Sequence, residues 1–311
     1  ILCDGIQKIG GFYKCKSIEK IEIPNSVTFI GDGAFQHCVG LNSITISNGV
    51  TFIGYKVFYY CTSLNSITIP NSVTSIDDYA FSYCTSLKSI TIPSSVTHIL
   101  GGAFYGCASL TSITIPDSVI LIGKSAFGGC TGLNEITVAS GNQKYHSAGN
   151  CIIETASQTL ISGCKSSVIP TDGSVTSIGD GAFRGCTDLK SITIPNRVSV
   201  IGGEAFRNCT GLKSITIPDS VRLIDGSAFH NCTGLENITI QNGVTSIGAY
   251  AFQNCTSLKS ITIPRSVKNI NNFAFYGWTS SQTIYCKAAS KPSGWVSNWN
   301  ADCYAQIKWN T

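Results

Sequence analysis

Hydrophobic positions along this chain recur in two alternating styles. In residues 41–63, Leu41, Ile44 and Ile46 are separated by polar Ser43 and Thr45, a period-two stretch that predicts a strand with one buried face. In most equivalent stretches Pro closes the strand, as at Pro24, Pro70, Pro93, Pro116, Pro195, Pro218 and Pro264, removing a backbone donor where a ladder must stop. A turn follows, Val50 and Ile53 return to the interior, and Gly54 stands where a positive φ is expected. Segments such as Gly33-Ala34-Phe35-Gln36-His37-Cys38 then set Phe and Cys three apart on one side of a short helical turn, leaving residues 36 and 37 to face water.

The Phe residues give the repeat. Phe12, Phe35, Phe58, Phe81, Phe104 and Phe127, then Phe183, Phe206, Phe229, Phe252 and Phe275, are 23 residues apart except for one step of 56, which is a standard unit plus one longer by ten. A length of 311 residues alone suggests two globular domains, but a fixed period means a stack of small rungs, each burying its apolar face on its neighbours. The predicted architecture is a right-handed, curved α/β-class solenoid of about 12 rungs, with strands on one face and short helical turns on the other. The array is placed at residues 1–283, with the longer variant rung near 134–170, and a closing segment at 284–311.

Charged residues are only 12% of the chain against 43% apolar, so the surface is expected to be neutral and hydroxyl-rich. The net charge of +4 comes from Lys and Arg scattered along the sequence, which argues against nucleic acid and anionic lipid as partners. No run of eighteen apolar residues predicts a membrane span.

Ten of the fifteen Cys, from Cys15 through Cys130 and from Cys186 through Cys255, occupy one column of the repeat. Their parallel side chains are poorly placed to bridge, so they read as reduced thiols acting as small apolar residues, and Trp278 closes the column. Cys286 with Cys303, or Cys151 with Cys164, remain alternatives for a disulfide. No C-x-x-C pair points to zinc, and Gly123-Lys124-Ser125 lacks the upstream Gly of a phosphate loop. His37, His98, His146 and His230 have no evident carboxylate and nucleophile partners, so the reading is of a non-enzyme without metal or cofactor.

Candidate binding residues lie where the repeat varies. The column after each Phe reads Gln36, Tyr59, Ser82, Tyr105, Gly128, Arg184, Arg207, His230, Gln253 and Tyr276. Together with Tyr55, Tyr60, Tyr79 and Tyr83 it gathers six tyrosines on about three rungs, and Tyr and Arg are enriched at binding hot spots. The nominated surface is therefore Tyr55, Tyr59, Tyr60, Tyr79, Tyr83, Tyr105, Arg184, Arg207 and His230. The competing reading is that the rings only cover the edges of adjacent turns. The strand face, a uniform sheet of pairs such as Ser66/Thr68 and Ser89/Thr91, reads as solvated β-formers. Trp295 and Trp299 read as a shield for the last rung, with stacking on a sugar as the alternative.

The string Ser112-Ile113-Thr114-Ile115-Pro116-Asp117-Ser118-Val119, followed by Ile122-Gly123 and Ala126-Phe127-Gly128-Gly129-Cys130, closely resembles the BspA-like leucine-rich-repeat family. The segments from Gly141 to His146 and from Ile284 to Trp299 are similar to a variant rung and a closing segment of such arrays. The resemblance implies a leucine-rich-repeat solenoid from a secreted or cell-surface protein that adheres to host or extracellular matrix proteins. A passive spacer and a carbohydrate-binding module are the alternatives, and the chain is expected to act as a monomer.

Overall fold

Each turn of the chain supplies strands to two parallel ladders. In the computed structural model, which describes residues 5–311, the longer ladder holds the predicted Ser-Ile-Thr stretches. Identical columns stack in register: Ser43, Ile44 and Thr45 pair with Ser66, Ile67 and Thr68, while Ser214–Ile217 pairs with Asn237–Ile240. The second ladder is two residues wide. It aligns Ile53, Ile76, Ile99 and Ile122 in one region and Ile178, Ile201, Ile224, Ile247 and Ile270 in another. Residues 89–92 keep the same in-and-out burial without forming strand pairs, and of residues 191–194 only Ser191 makes a bridge, to Ser214.

The chain divides into two compact units, Ile1–Ile152 and Ile153–Thr311, with the division inside the longer rung. At the end of the first unit the extra residues fold as a strand, Tyr145–Ala148, that turns at Gly149-Asn150. Both turn residues have φ of 57°, as a tight hairpin turn needs. The Tyr145 hydroxyl accepts the Ile122 N–H at 3.0 Å, so a side chain serves the outermost strand of the first unit's short ladder. The Asn142 amide donates to the Pro116 and Val119 carbonyls at 2.8 and 3.0 Å. These bonds let the longer rung close the first unit's ladder with side chains in place of a standard turn's backbone.

The segment around each Phe departs from expectation. N–H groups of Gly33, Phe35 and His37 donate to Tyr55, Val57 and Tyr59 on the next turn, at 2.9, 3.0 and 2.7 Å. Those of Ala34, Gln36 and Cys38 donate back within their own turn, at 2.9 to 3.0 Å. A helix needs every donor for itself, so sharing every second one leaves a run of tight turns, and no helix forms among the described residues. Alternation places two residues per turn in the left-handed region, two before and two after each Phe, as at Lys56 and Tyr60 or Tyr79 and Tyr83. Gly54 is not among them, contrary to the sequence expectation. Its column also carries Asp77, Leu100, Asp225 and Asn271, and Gly answers to close approach only in some turns: a Cβ at Gly123 would lie 2.4 Å from the backbone nitrogen of Gly101 on the preceding turn, and one at Gly54 2.9 Å from the Asp32 carboxylate.

The interior is a file of parallel rings. In the first unit successive Phe centroids from Phe12 to Phe127 are 5.2 to 5.6 Å apart with planes within 16°, and in the second unit Phe183 to Phe275 repeat that spacing. The cysteines do more than fill space. Within each run of standard turns a Phe carbonyl accepts the N–H of its own turn's Cys and, on its second lone pair, the Sγ–H of the next turn's: Cys61 to Phe35 at 3.0 Å, Cys84 to Phe58 at 3.2 Å, Cys232 to Phe206 at 3.1 Å; past the longer rung Cys186 turns to the Gly163 carbonyl instead. Trp278 ends the column in the same way, its indole N–H donating to the Phe252 carbonyl at 2.9 Å. All fourteen described cysteines are thiols.

In the second unit Gln306–Trp309 pairs with Thr283–Cys286, which pairs with Ser260–Ile263, so the closing segment prolongs the ladder. Trp295 and Trp299 are buried, with Trp299 edge-on to Phe275 at 5.7 Å. Their rings cover the end of the file and are closed to a sugar.

Two outcomes follow from this core. Phe104→Ala, at a fully buried ring in a stack that cannot collapse, is expected to cost about 3–5 kcal/mol, and Tyr105→Ala much less, in denaturant melts. Burial also pushes the column thiols up, Cys232 to about 12, so the folded chain keeps protons that unfolded thiols release near pH ~8.5. This contribution to stability is whole below that pH and is lost as pH rises toward the folded values. Melting temperature is therefore expected to fall steeply above about pH 9, and less steeply in Cys232→Ala, with the variant correcting for Lys and Tyr ionisation common to both.

Candidate functional site

Residues one and two places after each Phe point away from the ring file, and the 23-residue period stacks them from turn to turn. In the first unit this brings together Tyr59, Tyr60, Tyr83 and Tyr105. Tyr60 stacks on Tyr83 at 4.4 Å, Tyr59 lies 4.8 Å from Tyr60, and Tyr83 meets Tyr105 edge-on at 5.5 Å. The strip continues through His37, stacked on Tyr60 at 5.0 Å, to Tyr13 at 6.0 Å from His37. Tyr55 and Tyr79, both exposed, form an adjoining pair at 6.4 Å.

Lys56 joins the two groups. Its Nζ lies 4.8, 5.1 and 5.8 Å from the rings of Tyr55, Tyr59 and Tyr79, within range of their negative faces. A hydrogen bond to Tyr55 holds its ammonium above the ordinary lysine range. Burial, then the neighbouring Tyr60, pushes the Tyr59 phenol up against the opposing pull of Lys56, so its hydroxyl stays a donor at neutral pH. Sequence reasoning named all six tyrosines and missed His37, Tyr13 and Lys56. Their signal was present: they occupy the columns of Tyr60, Tyr59 and Tyr79.

Backbone conformation adds a cost at three of these tyrosines. Tyr60 and Tyr83 both have φ of 60°, in a column that later turns fill with Gly106, Gly185 and Gly277 or with Asn208, Asn231 and Asn254; Tyr79 has φ of 58° in a column that mixes Gly102 with Ser125, Glu204, Tyr250 and Phe273. The left-handed region costs an ordinary L-residue about 1–2 kcal/mol, a penalty that Gly avoids and Asn reduces. Neighbouring glycines make room for the rings. A Cβ at Gly102 would come within 2.7 Å of the Tyr79 ring, and one at Gly106 within 2.8 Å of Tyr83.

In the second unit Arg184, Arg207 and His230 occupy the same outward column as Tyr59. The structure adds Glu204, which pairs with Arg184 at 2.7 Å and Arg207 at 3.2 Å. Glu204 stands two places before Phe206 in a left-handed column, with φ of 58°, where its sequence neighbourhood gives no hint of a partner one turn away. The Arg pair thus spends part of its charge internally. Burial, followed by the charge of Arg207, holds the His230 imidazole below its ordinary range, while Glu204 opposes the shift. Among the described residues no group of three or more His, Cys, Asp or Glu is arranged to hold a metal, and no helix is long and apolar enough to cross a membrane.

Two parallel ladders on a 23-residue period, with Leu, Ile and Phe columns inside, define a leucine-rich-repeat solenoid. The chain belongs to the BspA type leucine rich repeat family, whose model matches residues 8–134, 97–236 and 155–282 among six copies. A leucine rich cell surface protein from Faecalibacterium prausnitzii is 29% identical over 98% of this chain and 83% of its own, with a TM-score of 0.66. A leucine-rich repeat protein from Eubacterium ventriosum is 26% identical over 89% of this chain and 85% of its own, with a TM-score of 0.59. The pneumococcal vaccine antigen PcpA, at 22% identity over 93% of this chain and 74% of its own, shares the fold with a TM-score of 0.68. No curated protein matches the chain.

Removing the Glu204 charge tests the local electrostatics. Glu204→Gln is expected to lower the His230 pKa further, because the one group raising it is lost, and an NMR titration of the His230 ring reads the shift directly.

Proposed function

We propose that this is a cell-surface binding protein that adheres to a host or extracellular matrix protein through the tyrosine strip of its first unit. The observation that carries the reading is the continuous strip from Tyr13 to Tyr105, which includes Tyr60 and Tyr83 in a left-handed column that later turns fill with Gly or Asn. Structure alone gives no reason to keep rings there, and neighbouring glycines accommodate them. Tyrosine brings a large contact area at little cost in side-chain freedom, which suits a protein partner. The family membership and the surface description of the F. prausnitzii relative support the location.

The alternatives are less well supported. A passive spacer has no use for a contiguous strip of tyrosines drawn around a lysine. Sugar stacking needs open ring faces, whereas His37, Tyr60 and Tyr83 cover one another and Trp295 and Trp299 are buried. The test is capture of immobilised extracellular matrix proteins by the chain and by a Tyr59→Ser, Tyr60→Asn, Tyr83→Asn variant. The two Asn residues are what the same column carries in other turns, so folding is expected to be kept. Binding is expected to fall at least tenfold while the melting temperature moves by a few degrees; undiminished capture by the variant would sink the proposal.

A further inference from the structure

The chain's formal net charge of +4 resides wholly in the second unit. Residues 1–152 hold eight Lys and Arg against eight Asp and Glu, and residues 153–311 hold thirteen against nine. Scattered in sequence, these cations are gathered by the period. Arg222 and Lys268 are two repeats apart in one column, and Arg265 lies three residues before Lys268, on the turns that follow the strand-ending prolines. Lys287 joins them from the closing segment.

Two adjoining hollows lie along this edge and share Asn242 and Ser266, one lined by Arg265 and Lys287 and the other by Arg222. The guanidinium groups are fixed by backbone carbonyls rather than by carboxylates. Arg265 Nε donates to the Lys287 carbonyl at 2.8 Å, and Arg222 Nη1 donates to the carbonyls of Asp219 and, at 3.1 Å, Gly243. Carbonyl anchoring holds each side chain in place, and Asp219, the one carboxylate side chain lining the hollows, makes no ion pair with Arg222. Lys268 Nζ likewise lies 3.4 Å from the Arg265 carbonyl. Three other cations of this unit are paired with carboxylates instead, Arg184 and Arg207 with Glu204 and Lys213 with Glu236.

We infer that this edge is a second binding site, which takes an acidic polysaccharide by its sulfate or carboxylate groups. Three anchored cations, Arg222, Arg265 and Lys268, with Lys287 beside them and the amide of Asn242 and the hydroxyls of Thr245 and Ser266 near by, suit a chain that is both anionic and rich in hydroxyls. The hollows have no aromatic lining on which bases could stack, which disfavours single-stranded nucleic acid. They also lack apolar side chains to enter a lipid surface. The site is independent of the tyrosine strip, which lies in the other unit.

A heparin-derived octasaccharide serves as the probe, with binding measured by calorimetry at several salt concentrations. Arg265→Asn with Lys268→Thr removes two charges using residues that the same columns carry in Asn242 and Thr245. Lys190→Asn with Lys259→Asn removes two charges from a different column, so non-specific attraction is matched. The expected result is at least a tenfold loss of affinity and a shallower salt dependence in the first variant, with less than a twofold loss in the second. Equal losses in the two variants, no binding by the unaltered chain, or tighter binding of a single-stranded DNA oligonucleotide or of phosphatidylserine vesicles would overturn the inference. Capture of matrix proteins by the Arg265→Asn, Lys268→Thr variant separates this site from the tyrosine strip.

Discussion

One turn of this chain has no interior. Twenty-odd residues cannot enclose a Phe, so each ring is buried only because another ring lies 5.2 to 5.6 Å away on the next turn. Most other regularities answer to that contact. Identical columns must stand in register, the Gly column must let neighbouring backbones approach, and half of the N–H groups around each Phe must reach across to the next turn. The thiols belong to the same device, since eight of the ten in the column donate to a Phe carbonyl one turn away while filling the space beside the ring. Trp278 makes the same bond from an indole, which shows that the donor matters at this position as well as the volume.

A constant interior leaves the outward columns free to differ, and the two units use that freedom differently. The first carries equal numbers of acidic and basic side chains and concentrates aromatic rings around one lysine. The second carries the net charge, part of it tied up by Glu204 and part held open on the edge next to the closing segment. Both surfaces are made possible by stacking. A side chain repeated, or nearly repeated, every 23 residues becomes a row, and a row of weak contacts offers area that no single residue could.

The irregular parts satisfy the same hydrogen-bond requirement by other means. Where the longer rung interrupts the first unit's short ladder, the Tyr145 hydroxyl and the Asn142 amide serve the backbone groups that a standard turn would have served. Where the second unit ends, two tryptophans cover apolar surface that would otherwise meet water.

Much of this was legible in the sequence, because burial in a stack follows period alone. The Ile, Leu, Val, Phe and Cys columns, the strand alternation, the capping Trp pair and the tyrosine cluster all follow from counting by 23. Three things were decided only in three dimensions. The segment around Phe forms tight turns instead of a helix because its donors are shared with the next turn, a competition that local propensity does not contain. The positive φ falls two places either side of the Phe rather than at Gly54, because that is where donors alternate between their own turn and the next. Glu204 between two arginines, Lys56 among tyrosines and the cationic edge from Arg222 to Lys287 all join residues from different turns, and side-chain reach across turns is set by packing rather than by sequence spacing.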